Sequence, residues 1–422
     1  MKQVQARPPA VWRATSRAFA IALCALAVAA PARGQPPVIG ASAAVLMDAA
    51  TGAVLCDRAM HQRRPVASTT KIMTALVALE SAHLNDYVTI GADATEVKSP
   101  GLDFQPGERM TLDDLLAALL LKSSNGAAVA IADHVAGSVT AFSRLMNERA
   151  RSLGAADSHF VNPHGLYAPD HYSSAYDLAL IAREAMNYDR FRELVGRKTA
   201  EVARPDVNGK ETLQNHNRLL WRADYVDGIK TGYVRESGQC LVASATRQGW
   251  QLIAVVLDSP DTYGEALALL DYGFSAYRQR VFARRGDAVG RAPVRFGREG
   301  SVPAVCQQGL AQVLGPGLPA AGQLQISLKP MTAPVARRAV VGEARILAGG
   351  KAIARSELLA GEQVMRSRLV VAATWAVPVV ALLAGAAVGV RAGAKLVKNR
   401  RRRRRRLAPQ GNGAGPNGPS LC

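Results

Sequence analysis

The sequence predicts a mixed α/β (α+β) domain over residues 35–280, a small all-β domain over 282–365, and one membrane-crossing helix over 369–390. Three observations predict this. Strand-like and helical stretches are mixed up to about residue 280. The texture then changes to short strands between Gly and Pro, and a long uncharged run follows before a block of arginines.

The N-terminal element comes first. Lys2, Arg7, Arg13 and Arg17, with no acid among them, precede the uncharged "AFAIALCALAVAAPA" (Ala18–Ala32). A basic start, a short apolar stretch and small residues at Ala30 and Ala32 read as an export signal over residues 1–32, cut after Ala32. The run is short for a bilayer-spanning helix.

Next, "SAAVLMDAATGAVLCDRA" (Ser42–Ala59) alternates in "VLMD" and "AVLC" around a turn at Ala50–Gly52, a hairpin pattern. Helices are expected from Ser68 to about Leu194. Strands return in "QCLVASATRQGWQLIAVVLDS" (Gln239–Ser259), with a turn at Arg247–Gly249, and Tyr263–Tyr277 reads as a closing helix. This order implies one sheet with helices around it. Beyond Arg280, stretches such as "VVGEARILAGGKAIARSELLA" read as a separate β-rich unit, because so long an exported chain exceeds what one core holds.

"LVVAATWAVPVVALLAGAAVGV" (Leu369–Val390) is long enough to cross about 30 Å of hydrocarbon as a helix, Pro378 included. Arg391, Lys395, Lys398 and Arg400–Arg406 follow directly, and such a cluster stays on the cytoplasmic side. The expected topology is a single pass through the cell membrane. Residues 391–422 form a basic cytoplasmic tail, disordered over its Gly/Pro/Asn-rich end, and the folded domains face the outside.

The same charges account for the formal net charge of +19. Residues 391–422 and 1–33 carry most of it and no acid, leaving about +4 for the rest. A nucleic-acid-binding domain spreads its charge over the fold, so that class is set aside. The tail is a topology marker, also attracted to anionic lipid. Of the five cysteines, Cys56, Cys240 and Cys306 lie in the exported part, an odd number that cannot all pair internally. Free buried thiols are the simpler reading, and a Cys56–Cys240 bridge stays open.

The chemistry is carried by three motifs. In "RPVASTTKIMTALVALE" (Arg64–Glu80), Ser68 and Lys71 stand three apart at the head of an apolar stripe. On a helix they share a face, so Oγ and Nζ can meet. Lysine can take a serine proton only when neutral, and burial or nearby positive charge lowers its pKa. A helix start also offers unpaired backbone N–H groups to an oxyanion. The bland alternative is a cap serine followed by a solvated lysine, and S-x-x-K alone arises about once or twice by chance in such a chain.

"LKSSNGAAVAIADH" presents Ser123 and Asn125 at a helix–helix turn, after a helix opened by Thr111 and Asp114 as a capping box. "VDGIKTGYV" places Lys230, Thr231 and Gly232 on an edge strand. Each motif alone is weak: S-x-N is a common loop tripeptide, and K-T-G can be a strand ending in a turn. Their order, with 55 residues from Ser68 to Ser123 and 107 from Ser123 to Lys230 in an exported protein, makes the conjunction strong.

On these motifs, and on "SSNGAAVAIADHVAG", "HGLYAPDHYSSAYDLALIAREA" and "LLDYGF", the chain resembles the low-molecular-mass penicillin-binding proteins that are serine-type D-alanyl-D-alanine carboxypeptidases. The resemblance covers roughly residues 40–365, more weakly in the β-rich part. It implies a penicillin-recognising serine transpeptidase/β-lactamase-like fold. It also implies that Ser68 attacks the penultimate D-alanine carbonyl of a peptidoglycan stem peptide with Lys71 as base. The backbone N–H groups of Ser68 and Tyr233 would form the oxyanion hole. Ser123 would relay a proton to the departing D-alanine, Asn125 would bind the substrate amide, and Lys230 and Thr231 the terminal carboxylate, with Gly232 letting substrate lie against the strand. β-Lactams would acylate Ser68. No cofactor or metal is called for.

Several positions depart from the family pattern. His216 in "LQNHNRLLW" stands about where relatives often carry arginine or threonine near the carboxylate pocket, and Tyr233 follows K-T-G where some have histidine. Ser124 stands where the superfamily motif has aspartate. His164 in "NPHGL" matches a loop histidine beside the site; loop packing is the competing role. Other readings share the motifs: a β-lactamase, a D,D-endopeptidase or transpeptidase, or an inactive peptidoglycan-binding or β-lactam sensor module. Class A β-lactamases use E-x-x-L-N to activate water, and that string does not occur; intact Ser68, Lys71 and Lys230 argue against the inactive module.

Overall fold

The computed structural model describes residues 35–97, 101–207 and 209–406. The expected signal (1–32) and the last part of the basic tail (407–422) lie outside the described residues.

The expected hairpin forms from β1 (Ala43–Asp48) and β2 (Val54–Arg58), and later strands β3 (Val226–Val234), β4 (Gly238–Arg247) and β5 (Trp250–Leu257) complete an antiparallel sheet ordered β2-β1-β5-β4-β3. The sheet is covered on both faces. Ala43, Val45 and Met47 of β1 join the larger helical core, while Ala44 and Leu46 join a core on the opposite face. β1 is therefore buried along its whole length.

The larger core is built by α1 (Lys71–Ser81), α2 (Leu112–Leu121), α3 (Asn125–Ala136), α4 (Val139–Ser152), α5 (Ala175–Ala185) and α6 (Asp189–Gly196). α2 starts as expected at Thr111, whose Oγ1 accepts from the Asp114 N–H at 3.1 Å. The short helix α7 (Leu219–Arg222) precedes β3, and α8 (Thr262–Ala276) covers the opposite sheet face with Leu269 and Leu270. Two ribbons, Thr199–Arg204 with Gly209–Gln214 and Tyr87–Thr89 with Arg109–Thr111, cap the helical side. There Arg204 and Glu108 form a buried bidentate pair at 2.7 and 2.9 Å, and Arg204 also reaches Glu211 at 2.8 Å.

Cys56, Cys240 and Cys306 are free thiols, so the Cys56–Cys240 bridge is not made. Topology explains why. β2 and β4 are separated by β1 and β5, about 14 Å at the usual strand spacing, beyond the reach of a disulfide.

The β-rich unit begins at strand Arg278–Ala283, so the boundary expected at 280–282 falls inside a strand. Its main sheet has six strands and its own core around Val302, Ile346 and Leu358. It meets the first domain through Gln279 Nε2, which donates to Asp48 Oδ1 at 3.4 Å, next to Tyr277, whose hydroxyl donates to the Leu55 carbonyl at the junction. Its last residues are pinned: Val364 and Val335 exchange backbone bonds at 2.8 and 2.9 Å, and Ser367 N–H donates to the Phe296 carbonyl at 2.8 Å. The next residue opens α9 (Arg368–Arg406), which is long and apolar enough to cross a membrane and buries none of its apolar stretch in the protein.

Candidate active site

Ser68 lies in a 3₁₀ turn, Ala67–Thr70, that leads into α1 at Lys71. The helix was expected to begin near Ser68; it starts one turn later because Ala67 has φ +48° and the chain enters from a left-handed residue. The turn still stacks Ser68 over Lys71. Lys71 Nζ lies 2.9 Å from Ser68 Oγ, and donates to Asn125 Oδ1 at 2.7 Å and to the His164 carbonyl at 2.7 Å. Its side chain is fully buried. Burial, reinforced by the charge of Lys230, holds the amine well below its ordinary range.

Ser123 and Asn125 arrive on the turn between α2 and α3. Ser124 caps α3 by accepting from Ala127 N–H at 3.2 Å, and Ser123, mostly buried, has φ +62°. β3 forms the other wall and is the sheet edge, as expected. Lys230 is buried on it, donates to the Thr231 carbonyl at 3.0 Å, and has its pKa lowered by burial to about 7. Gly232 passes so close to the Ser68 turn that a Cβ there would sit 3.0 Å from the Ser68 nitrogen. Tyr233, 62% exposed, stands at the rim.

Each motif thus sits beside a left-handed non-glycine residue: Ala67 before Ser68, Ser123 itself, and Ile229 (φ +94°) before Lys230. Such conformations cost about 1–3 kcal/mol each and gather where function fixes the backbone.

The histidines are placed by this framework. His164 lends its carbonyl to Lys71; its ring accepts from Leu166 N–H at 3.1 Å and is lowered to about 3 by burial, then by Lys71 and His171. His216 lines the cleft with one side open to solvent, and its pKa is lowered to about 4 by partial burial and by the charges of Lys230 and Lys122. Both rings are neutral near pH 7.

The sequence reading missed the scaffold behind Lys71. Asn162 Oδ1 accepts from Gly165 N–H at 2.7 Å and its Nδ2 donates to the Leu166 carbonyl at 3.0 Å, clamping the His164 loop. Buried His171 accepts from Val161 N–H at Nδ1 (3.2 Å), which leaves Nε2–H to donate to Thr70 Oγ1 at 2.8 Å. The nearest signal was the string "NPHGLYAPDH", which fixes neither contact.

A cleft of about 940 Å³ runs along these groups, lined by Ser68, Ser123, Thr231, Gly232, Tyr233 and His216, with Lys71, Asn125 and Lys230 behind. A serine, two buried amines and an edge strand on one cleft suit nucleophilic acyl transfer. Comparison with known proteins gives the family. Residues 30–261 match the D-alanyl-D-alanine carboxypeptidase family, and residues 277–366 match the C-terminal domain of penicillin-binding protein 5. The chain belongs to the D-alanyl-D-alanine carboxypeptidase family.

This carboxypeptidase is a serine-type peptidase. It is 35% identical over 363 residues to D-alanyl-D-alanine carboxypeptidase DacD of Escherichia coli, a match spanning 80% of this chain and 92% of that one. The Bacillus subtilis carboxypeptidase DacF is 30% identical over 337 residues, covering 78% and 86% of the two chains. Among solved structures, penicillin-binding protein 5 from Haemophilus influenzae aligns with a TM-score of 0.61 at 30% identity, over 79% of this chain and all of that one. The fold is that of the penicillin-binding proteins, a mixed α/β domain followed by a β domain.

Proposed function

We propose that the protein removes the terminal D-alanine from peptidoglycan stem peptides through an acyl-enzyme on Ser68, limiting cross-linking, and that β-lactams acylate the same serine. The observation that carries this is the surroundings of Lys71. A neutral amine has two N–H bonds and one lone pair. With Asn125 Oδ1 and the His164 carbonyl each accepting one N–H, the lone pair is left for the Ser68 hydroxyl at 2.9 Å.

In this reading Lys71 takes the Ser68 proton as Oγ attacks the penultimate D-alanine carbonyl. The developing oxyanion is met by the backbone N–H groups of Ser68 and Tyr233. Ser123 passes the proton to the departing D-alanine amine, Asn125 holds the substrate amide, and Lys230 and Thr231 hold the terminal carboxylate. Water then cleaves the ester. The close approach of Gly232 to the Ser68 turn supports the oxyanion assignment, since only a glycine leaves that gap open. His216, neutral near pH 7, and Tyr233 border the carboxylate end.

The protein would act at the outer face of the cell membrane, anchored by α9 with residues 391–422 inside, residues 35–280 as the peptidase unit and 282–365 as the stalk. The test is release of D-alanine from diacetyl-L-Lys-D-Ala-D-Ala by wild type and by Ser68→Ala. Release that needs Ser68, together with penicillin labelling that needs it, supports the reading; release by Ser68→Ala sinks it.

A further inference from the structure

Past His216 the cleft continues along Arg218, Trp221 and Arg222. His216 feels Lys230 electrostatically and its carbonyl accepts from the Tyr263 hydroxyl at 3.3 Å. The Arg222 guanidinium lies over the Tyr263 ring, 5.0 Å from its centroid. Arg218 and Trp221, the latter 44% exposed, line the same cleft, and Lys122 closes it opposite. Among the described residues, no Asp or Glu lines this cleft. Arg218 and Arg222 are exposed, and neither forms an ion pair among the described residues. Elsewhere in the domain the pattern is different: Arg149, Arg190 and Arg204 each hold two carboxylates.

Two uncompensated guanidinium groups on one rim, one of them steadied by an aromatic ring, form a preorganised anion site. They lie at the end where Lys230 and Thr231 would meet the terminal carboxylate, which is the leaving-group side. His216 is neutral near pH 7, so the fixed charge there comes from Arg218, Arg222 and Lys122. We propose that Arg218 and Arg222, backed by Trp221 and Tyr263, form a subsite for a second carboxylate on the departing residue. The substrate class is then peptides whose leaving amine is carried by a D-configured residue with an acidic side chain. The bond changes are those of the main reaction. The acyl C–N bond breaks as the Ser68 ester forms, the serine proton leaves on the departing amine, and water releases the acyl group as a carboxylate.

This rests on the carboxypeptidase reading, and the test separates the two. Diacetyl-L-Lys-D-Ala peptides ending in D-Ala, D-Glu or D-Gln are compared by kcat/KM on the full-length protein in detergent. D-Glu and D-Gln have the same shape and differ in charge. The expected D-Glu preference over D-Gln is about fivefold at low salt, in the range of exposed ion pairs. It should shrink in 0.5 M NaCl, where the screening length is only about 4 Å, and fall towards unity in Arg218→Gln/Arg222→Gln. Normal hydrolysis of the D-Ala peptide with no D-Glu preference, or a preference that survives the double substitution, overturns the subsite alone. Absence of hydrolysis of all three peptides overturns the carboxypeptidase reading, and the subsite with it.

Discussion

Gly165 is seated directly on Ala67: a Cβ built at Gly165 would lie 1.9 Å from the Ala67 carbonyl oxygen, and Gly165 has φ +86°. The loop carrying the His164 carbonyl is therefore pressed against the turn carrying Ser68. The two ends of the Lys71 hydrogen-bond set are registered by backbone contact.

Gly165→Ala should force these two segments apart and remove the His164 carbonyl from Lys71. The expected result is at least a tenfold loss in the rate of acylation by a fluorescent penicillin. Asn162→Ala, which frees the same loop without a clash, should lose less, in the same direction. Stopped-flow acylation measures both. Wild-type rates in Gly165→Ala would mean that the carbonyl does not orient the amine.

The pH profile follows from two buried lysines with opposite requirements. Lys71 must be neutral to act as base; its pKa is depressed, so its neutral fraction grows as pH rises and the ascending limb lies on the acid side. Lys230 must stay protonated to hold a carboxylate, and with a pKa of about 7 it loses that charge above neutrality. The second-order rate constant for penicillin acylation should thus be bell-shaped with a falling limb near pH 7. Lys230→Arg should keep its charge and lose the falling limb, at some cost in absolute rate. A wild-type profile still climbing through pH 9 would remove Lys230 from this role.

Stability should be sensitive at the Arg204–Glu108 pair, because both groups are buried and removing Glu108 leaves the Arg204 charge matched only by the partly exposed Glu211. Glu108→Ala is expected to destabilise by about 3–5 kcal/mol in denaturant unfolding. The double change Glu108→Leu/Arg204→Met should recover most of that loss. Additive losses in the double variant would show that packing, not charge, sets the cost.

Deleting residues from Leu369 onward should move the protein from the membrane to the soluble fraction. Penicillin labelling should persist, because α9 buries none of its apolar stretch against the rest. Aggregation with loss of labelling would show that the helix is needed for the fold.

The three motifs, the edge-strand placement of Lys230 and the Thr111 cap could be read from the sequence, because each is a local pattern with local chemistry. The left-handed conformations at Ala67, Ser123 and Ile229 could not, since none is a glycine and tertiary contacts impose each one. Likewise Asn162 acts on Lys71 only through a loop that folds back on a distant turn, which spacing does not encode. Arg218 and Arg222 carry no local signal; only the fold puts both on the lining of the cleft, where neither forms an ion pair among the described residues. β1 was legible as a hairpin strand, but its residues alternate between two cores, which periodicity cannot distinguish from one core and solvent.

The seam between Val364 and Arg368 leaves no slack. Backbone bonds hold the β unit up to Ser367, and the long helix opens at the next residue. In the proposed anchoring, a cleft mounted this way would not wander on a tether. With α9 embedded, its height above the lipid is fixed by the dimensions of the folded units, so it would serve one stratum of the wall and search only sideways, as fast as the anchor drifts.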